Sequence, residues 1–104
     1  MNTEPEVVDN ADKNRFEIHV DGTTAGFAQY KLSPEKISFI HTEIDEAFSG
    51  QGLAGKLVRA ALDDVAGRGL AVLPFCPFVR GWIAKHPDYL ELVPTAQRAR
   101  FELE

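Results

Sequence analysis

The sequence predicts an α/β domain of the α+β kind: a three-stranded antiparallel meander, then a helix, a parallel strand and a C-terminal helix. Three observations predict it. Two alternating apolar stretches flank Asp21-Gly22, a dipeptide that favours a tight hairpin turn. A stripe of apolar residues at helical spacing starts at Leu53. The run Leu70 to Phe75 (L-A-V-L-P-F) is continuously apolar, as a parallel strand covered on both faces would be.

In chain order, residues 1–14 are polar and are expected to be flexible, with Val7 and Val8 the start of an edge strand if one forms. Arg15 to Val20 (R-F-E-I-H-V) alternates, placing Phe16, Ile18 and Val20 on one face. Thr23 to Leu32 forms the second strand, with Ala25, Phe27 and Tyr30 as its packing residues. Ser33-Pro34-Glu35-Lys36 turns the chain into a third strand, Ile37 to Ile44, where Ile37, Phe39 and His41 share a face. The helix runs from Leu53 to about Arg68. It buries Leu53, Leu57, Ala60, Ala61 and Val65, and Gly67 and Gly69 end it. Leu57, Ala61 and Val65 are expected to pack on the sheet against partners such as Phe27 and Phe39. After Pro77 a short helix spans Phe78 to Lys85 until His86-Pro87 stops it, and Asp88 to Val93 adds one turn. Leu103-Glu104 reads equally as native sequence or as a cloning remnant.

A chain of 104 residues with 44% hydrophobic content fits one domain, residues 1–104, with a modest core. No apolar run is long enough to span a bilayer and no charged leader precedes one. One cysteine cannot form an internal disulfide, so a reducing cytoplasm is the expected compartment. The net charge of -5 disfavours a nucleic-acid backbone as partner. A monomer or weak homodimer without a metal is expected.

The segment Phe39 to Gly55 (F-I-H-T-E-I-D-E-A-F-S-G-Q-G-L-A-G) joins a β-branched run to a glycine-rich loop that opens into the helix. Gly50, Gly52 and Gly55 are three of the chain's eight glycines. Glycines let a backbone approach an anion closely, and the free N–H groups of a helix N-terminus point at it. A flexible turn before a helix is the plain alternative. The flanking strand and helix supply the context of a phosphate cradle. In a strand–helix–strand unit, ligands sit beyond the carboxyl ends of the strands. Both the loop and Cys76 fall there.

From His41 to Val93, about half the chain, these residues resemble the minimal branch of the GNAT N-acetyltransferase superfamily. The stretches that carry the likeness are H-T-E-I-D, S-G-Q-G-L-A-G-K-L-V-R-A-A-L-D and C-P-F-V-R-G-W-I-A-K-H-P-D-Y. The superfamily loop opens on Arg or Gln, and Gly52 and Ala54 fill its small positions, but Ser49 stands at the opening one. The resemblance implies acetyl-CoA as cofactor. Its pantetheine arm would run along Thr42, Glu43 and Ile44, and its diphosphate would lie over Gly50, Gln51, Gly52, Leu53, Ala54, Gly55 and Lys56, with Arg59 a further source of charge. It implies acetyl transfer to an amine of a small molecule or protein, an acceptor these residues do not name. A non-catalytic acyl-CoA-binding module is the alternative, favoured by Ser49 and by a chain too short to add much acceptor-binding structure.

Three side chains are candidates for the chemistry. Glu43 neighbours the proposed arm and can accept a proton, although strand glutamates are commonly just solvated. His41 suits base work near neutral pH, although a core histidine is the other reading. Cys76 lies where the thioester should arrive, and the positive end of the following helix favours a thiolate able to accept the acetyl group. Equally, a free cysteine packs as a small hydrophobe. Trp82, Tyr89, Phe75 and Phe78 read as cover for the sheet, and Arg80, Lys85 and His86 as a solvated helix face or contacts to a ribose phosphate.

Overall fold

A computed structural model describes residues 4–103. Its sheet has five strands in sequence order: β1 (Glu6–Asn10), β2 (Arg15–Val20), β3 (Thr23–Leu32), β4 (Lys36–Ile44) and β5 (Ala71–Pro74). The first four pair antiparallel and β5 runs parallel to β4, from Lys36↔Ala71 to Phe39↔Pro74. Helix α1 (Leu53–Gly67) makes the crossover that a parallel pair requires. Helix α2 (Pro77–Lys85) follows β5, with Pro77 in its first turn, where a missing N–H costs nothing. The meander, the helix, the parallel strand and the terminal helix are all as the sequence predicts.

The core lies between one face of the sheet and α1. Phe16, Ile18, Ala28, Tyr30, Ile37, Phe39 and Val72 from the strands are buried with Leu53, Leu57, Val58, Ala61, Leu62 and Val65 of α1 and Val79, Trp82 and Ile83 of α2. Val58 and Leu62 widen the expected helix stripe, while Ala60 is only half-buried. After Gly67, Gly69 at φ +72° lets the chain close a Schellman motif: Gly69 N–H donates to Ala66 C=O and Leu70 N–H to Val65 C=O.

Three expectations are corrected at the periphery. Within the segment expected to be flexible, Val7 and Val8 do belong to an edge strand, β1, which is paired along its length with β2. Its Asp9 accepts a hydrogen bond from Tyr30 Oη at 2.6 Å and forms an ion pair with Arg68, which also pairs with Asp64. Burial, helped by the Asp9 carboxylate, pushes the Tyr30 phenol up to about 12. Phe27 does not meet α1. It stands half-buried on the opposite sheet face, with the Arg15 guanidinium 4.6 Å from its ring centroid and His41 6.0 Å away, ring to ring. Finally, Leu103 is buried together with Phe101, beyond a turn in which Arg98 donates to the carbonyls of Val93 and Leu90, so it belongs to the packed fold. Glu104 lies outside the described residues.

Candidate active site

The site is built by a change of phase in β4. Tyr30 pairs with Phe39 but Gln29 pairs with His41, so Ile40 is an extra residue, a β-bulge. Because side chains alternate with a period of two, the bulge exchanges the faces beyond it. Ile37 and Phe39 point into the core, but so do Thr42 and Ile44, not His41. The expectation that His41 shares the apolar face is therefore corrected. His41 and Glu43 lie on the far face, with side chains 56% and 63% exposed, and pair with each other at 3.3 Å (Nε2 to Oε2).

The same segment is where β4 and β5 part. Cys76 N–H donates to Phe39 C=O at 2.8 Å, and beyond that bond β4 continues to Ile44 while the other chain turns into α2. Asp45 N–H donates to Ala25 C=O, which makes Asp45, Glu43 and His41 the residues whose backbone bonds to β3. By alternation, the backbone groups of Thr42 and Ile44 face the gap. A strand edge of this kind can accept an extended, amide-bearing ligand as an added strand.

On the core side of the gap, Cys76 Sγ donates to Thr42 Oγ1 at 3.4 Å, and Cys76 is buried. Cys76 occupies the N-cap position of α2 without capping it. A depression of about 250 Å³ lies at the end of the β3–β4 ladder, lined by Thr24 to Phe27 and Glu43 to Asp45. Glycine is required at position 26, where a Cβ would collide with Ile44 and the Glu43 carbonyl.

The glycine loop leads directly into α1. Gly52 is its N-cap at φ +71°, and Gly50 has φ +80°. A Cβ at either would meet nothing within 4 Å, so both backbones border open space. Leu53 is buried and anchors the helix start, while Gln51 and Lys56 are exposed and Ala54 and Gly55 half-buried. The N–H groups of this first turn have no partner within the helix. Gly55 faces the Trp82 indole, its projected Cβ 3.6 Å from Nε1. Arg59 is engaged elsewhere, over the Trp82 and Tyr89 rings and against Tyr89 Oη, whose hydroxyl donates to Asp63.

The structure thus brings Thr42, Ile44, Cys76 and the loop to one end of the sheet and sets His41 and Glu43 across it. Trp82 covers the core as expected, stacked on His86 at 3.8 Å, but Phe75 and Phe78 are 40% and 44% exposed. Arg80 is not a freely solvated side chain, since its Nε is buried without a hydrogen-bond partner. Neither the bulge nor that orphaned nitrogen has a local signal in the sequence.

The family model described as GCN5-related N-acetyl-transferase matches residues 15–92. The chain belongs to that family. Among curated relatives, Protein NATD1 of Danio rerio is 27% identical over 85 residues, 78% of this chain and 77% of that protein. Protein NATD1 of Homo sapiens is 36% identical over 53 residues, 49% of this chain and 47% of that protein. Two solved structures share the fold. A GCN5-like putative N-acetyltransferase from Staphylococcus aureus superposes with a TM-score of 0.65 at 21% identity, covering 89% of each chain. A ribosomal-protein-alanine N-acetyltransferase from Brucella melitensis biovar Abortus gives 0.55 at 19% identity, covering 78% of this chain and 61% of the other. Among the described residues no helix is long and apolar enough to cross a membrane.

Proposed function

We propose that this chain is an acetyl-CoA-dependent N-acetyltransferase that acts on an amine entering from the sheet face bearing His41 and Glu43. The observation that carries the reading is the gap after the Cys76–Phe39 bond, lined by the free backbone of Thr42 and Ile44 and leading to an open glycine loop. These residues fit the cofactor: a linear chain of amides matches the strand edge, and a diphosphate matches the first turn of α1. When bound, acetyl-CoA would supply an activated acyl thioester.

The chain's own residues then do three things. Gly50, Gly52 and the N–H groups of Leu53, Ala54 and Gly55 hold the anionic end, with Lys56 beside them. Thr42 and Cys76 close the core side of the gap and exclude water there. Glu43, held by His41, accepts the proton that the acceptor nitrogen loses as it becomes acylated. Transfer is direct to the amine, with Cys76, buried beside Thr42, serving as packing at the gap rather than as an acyl carrier.

A second reading, a non-catalytic acyl-CoA-binding module, is favoured by one observation: both candidate bases project away from Thr42 and Cys76. Mass spectrometry of protein purified without added ligand should find retained CoA or acetyl-CoA. Release of CoA thiol should then be followed over a panel of amines. Binding with no turnover on any amine would select the module, and absence of binding would defeat both readings. Cys76→Ser should retain turnover, whereas loss of turnover with a trapped acetyl-thioester on the parent would establish a covalent route instead.

A further inference from the structure

Trp82 shows which flank of α2 turns toward the glycine loop. Its indole stands against the first turn of α1, where the projected Cβ of Gly55 is 3.6 Å from Nε1. The Arg59 guanidinium lies 5.3 Å from its ring centroid. Phe78 and Lys85, one turn before and one turn after Trp82, share that flank. Arg80 and Ala84 take the opposite flank, toward the Phe75 carbonyl and Leu103. On the Trp82 flank, a depression of about 250 Å³ is lined by Pro77, Phe78, Gly81, Trp82 and Lys85. Phe78 is 44% exposed and packs on no other ring among the described residues. A Cβ at Gly81 would meet nothing within 4 Å, so the helix leaves the space beside that ring empty. The Trp82 ring is engaged by His86 and Arg59, which leaves Phe78 as the free aromatic surface.

Charge indicates the kind of ligand. Lys56 stands in the first turn of α1, Arg59 one turn later and Lys85 at the end of α2. None of the three forms an ion pair with a carboxylate among the described residues, in a chain of net charge -5. Arg59 donates only to Tyr89 Oη. Trp82 touches the first turn of α1 and also lines the depression, so the two are contiguous. A ligand with its diphosphate on the first-turn N–H groups therefore reaches the depression along a continuous surface. Beyond its diphosphate, CoA carries an adenosine with a phosphate on the ribose 3′ oxygen. A flat purine stacks on an exposed aromatic ring, and an ammonium group serves a phosphate as a point charge.

We propose that the Phe78–Lys85 flank of α2 is the subsite for the adenosine end of CoA, with the purine on Phe78 and the 3′-phosphate beside Lys85. This rests on the acetyl-CoA reading above and assigns the part of the cofactor that the glycine loop leaves without a seat.

The test compares CoA with dephospho-CoA, which lacks only the 3′-phosphate, by calorimetry on the full chain. The parent should bind CoA at least about threefold tighter, the size of one exposed ion pair. Lys85→Gln should abolish that preference and leave dephospho-CoA binding unchanged. Phe78→Ala, at an exposed position, should weaken both ligands by about fivefold or more, as lost base stacking does. Lys31→Gln removes the same charge near the far end of β3, opposite Ser38, and should alter neither. Adenosine 3′,5′-bisphosphate, the nucleotide end alone, should shift the Trp82 Nε1–H and Gly81 amide NMR signals in the parent, and much less in Phe78→Ala. Three results overturn the subsite and leave the acetyl-CoA reading standing: equal parental binding of CoA and dephospho-CoA, a preference that survives Lys85→Gln, or CoA affinity untouched by Phe78→Ala. No binding of CoA by the parent defeats that reading and the subsite with it.

Discussion

Gly52 and Gly69 offer a matched pair of perturbations. They have nearly the same backbone conformation, φ +71° and +72°, and a Cβ at either would find nothing within 4 Å. Valine at either position must therefore adopt a left-handed conformation at a cost of about 1–3 kcal/mol, with no clash at its Cβ. For a domain of this size each kcal/mol lowers the melting temperature by about 4–8 °C, so the two variants should lose comparable stability. Their ligand binding should differ. Gly52 caps the start of α1, and a valine side chain there fills the space an anion needs to reach the first-turn N–H groups. Gly69 closes the far end of the same helix. Losing even one hydrogen bond to a charged group is worth about 1.5–3 kcal/mol, so Gly52→Val should weaken acetyl-CoA by at least about tenfold. Gly69→Val should bind as the parent does. Calorimetry at a temperature where both variants are folded decides the matter. Parental affinity in Gly52→Val, or equal losses in the two variants, would refute the cradle.

Two further outcomes concern the scaffold. Leu57→Ala removes a fully buried side chain from the middle of the α1 stripe and should cost about 2–5 kcal/mol, read as a lower urea midpoint with an unchanged slope; an unmoved midpoint would mean that the core is misdescribed. Glu17 is 5% exposed, and hydrogen bonds from His19, and more weakly from Arg15 and Asn10, hold its carboxyl down at about 2 against the opposing effect of burial. Its folded value lies below the ordinary 4.5, so its stabilisation is present above about pH 4.5 and disappears as the pH falls toward 2. Glu17→Gln should therefore be less stable than the parent at pH 6 and converge with it near pH 2; a stability difference that stays constant over that range would rule out the linkage.

The element order, the amphipathic α1, the parallel β5 and the glycine loop were legible because each is written locally. An alternation, a helical stripe or three glycines in six residues constrains its own backbone whatever lies around it. Cys76 could likewise be assigned to the end of the sheet from the strand it follows. What the chain could not announce locally depended on pairing at a distance. The extra residue Ile40 exists only relative to the partner strand β3, and it alone turns His41 outward and Thr42 toward Cys76. Residues 6–10 offered only Val7 and Val8 as the hint of an edge strand, because the groups that order them, Tyr30 and Arg68, stand 21 and 59 positions along the chain from Asp9. Phe75 and Phe78 read as core by hydrophobicity, which sets the tendency to bury but not which aromatic finds a partner. The sequence by itself thus determined the family and the place of the glycine loop between β4 and α1, since both rest on motifs that are local in the chain. Only the tertiary structure decided which side chains face the gap, because strand register and the packing of the last ten or so residues are non-local.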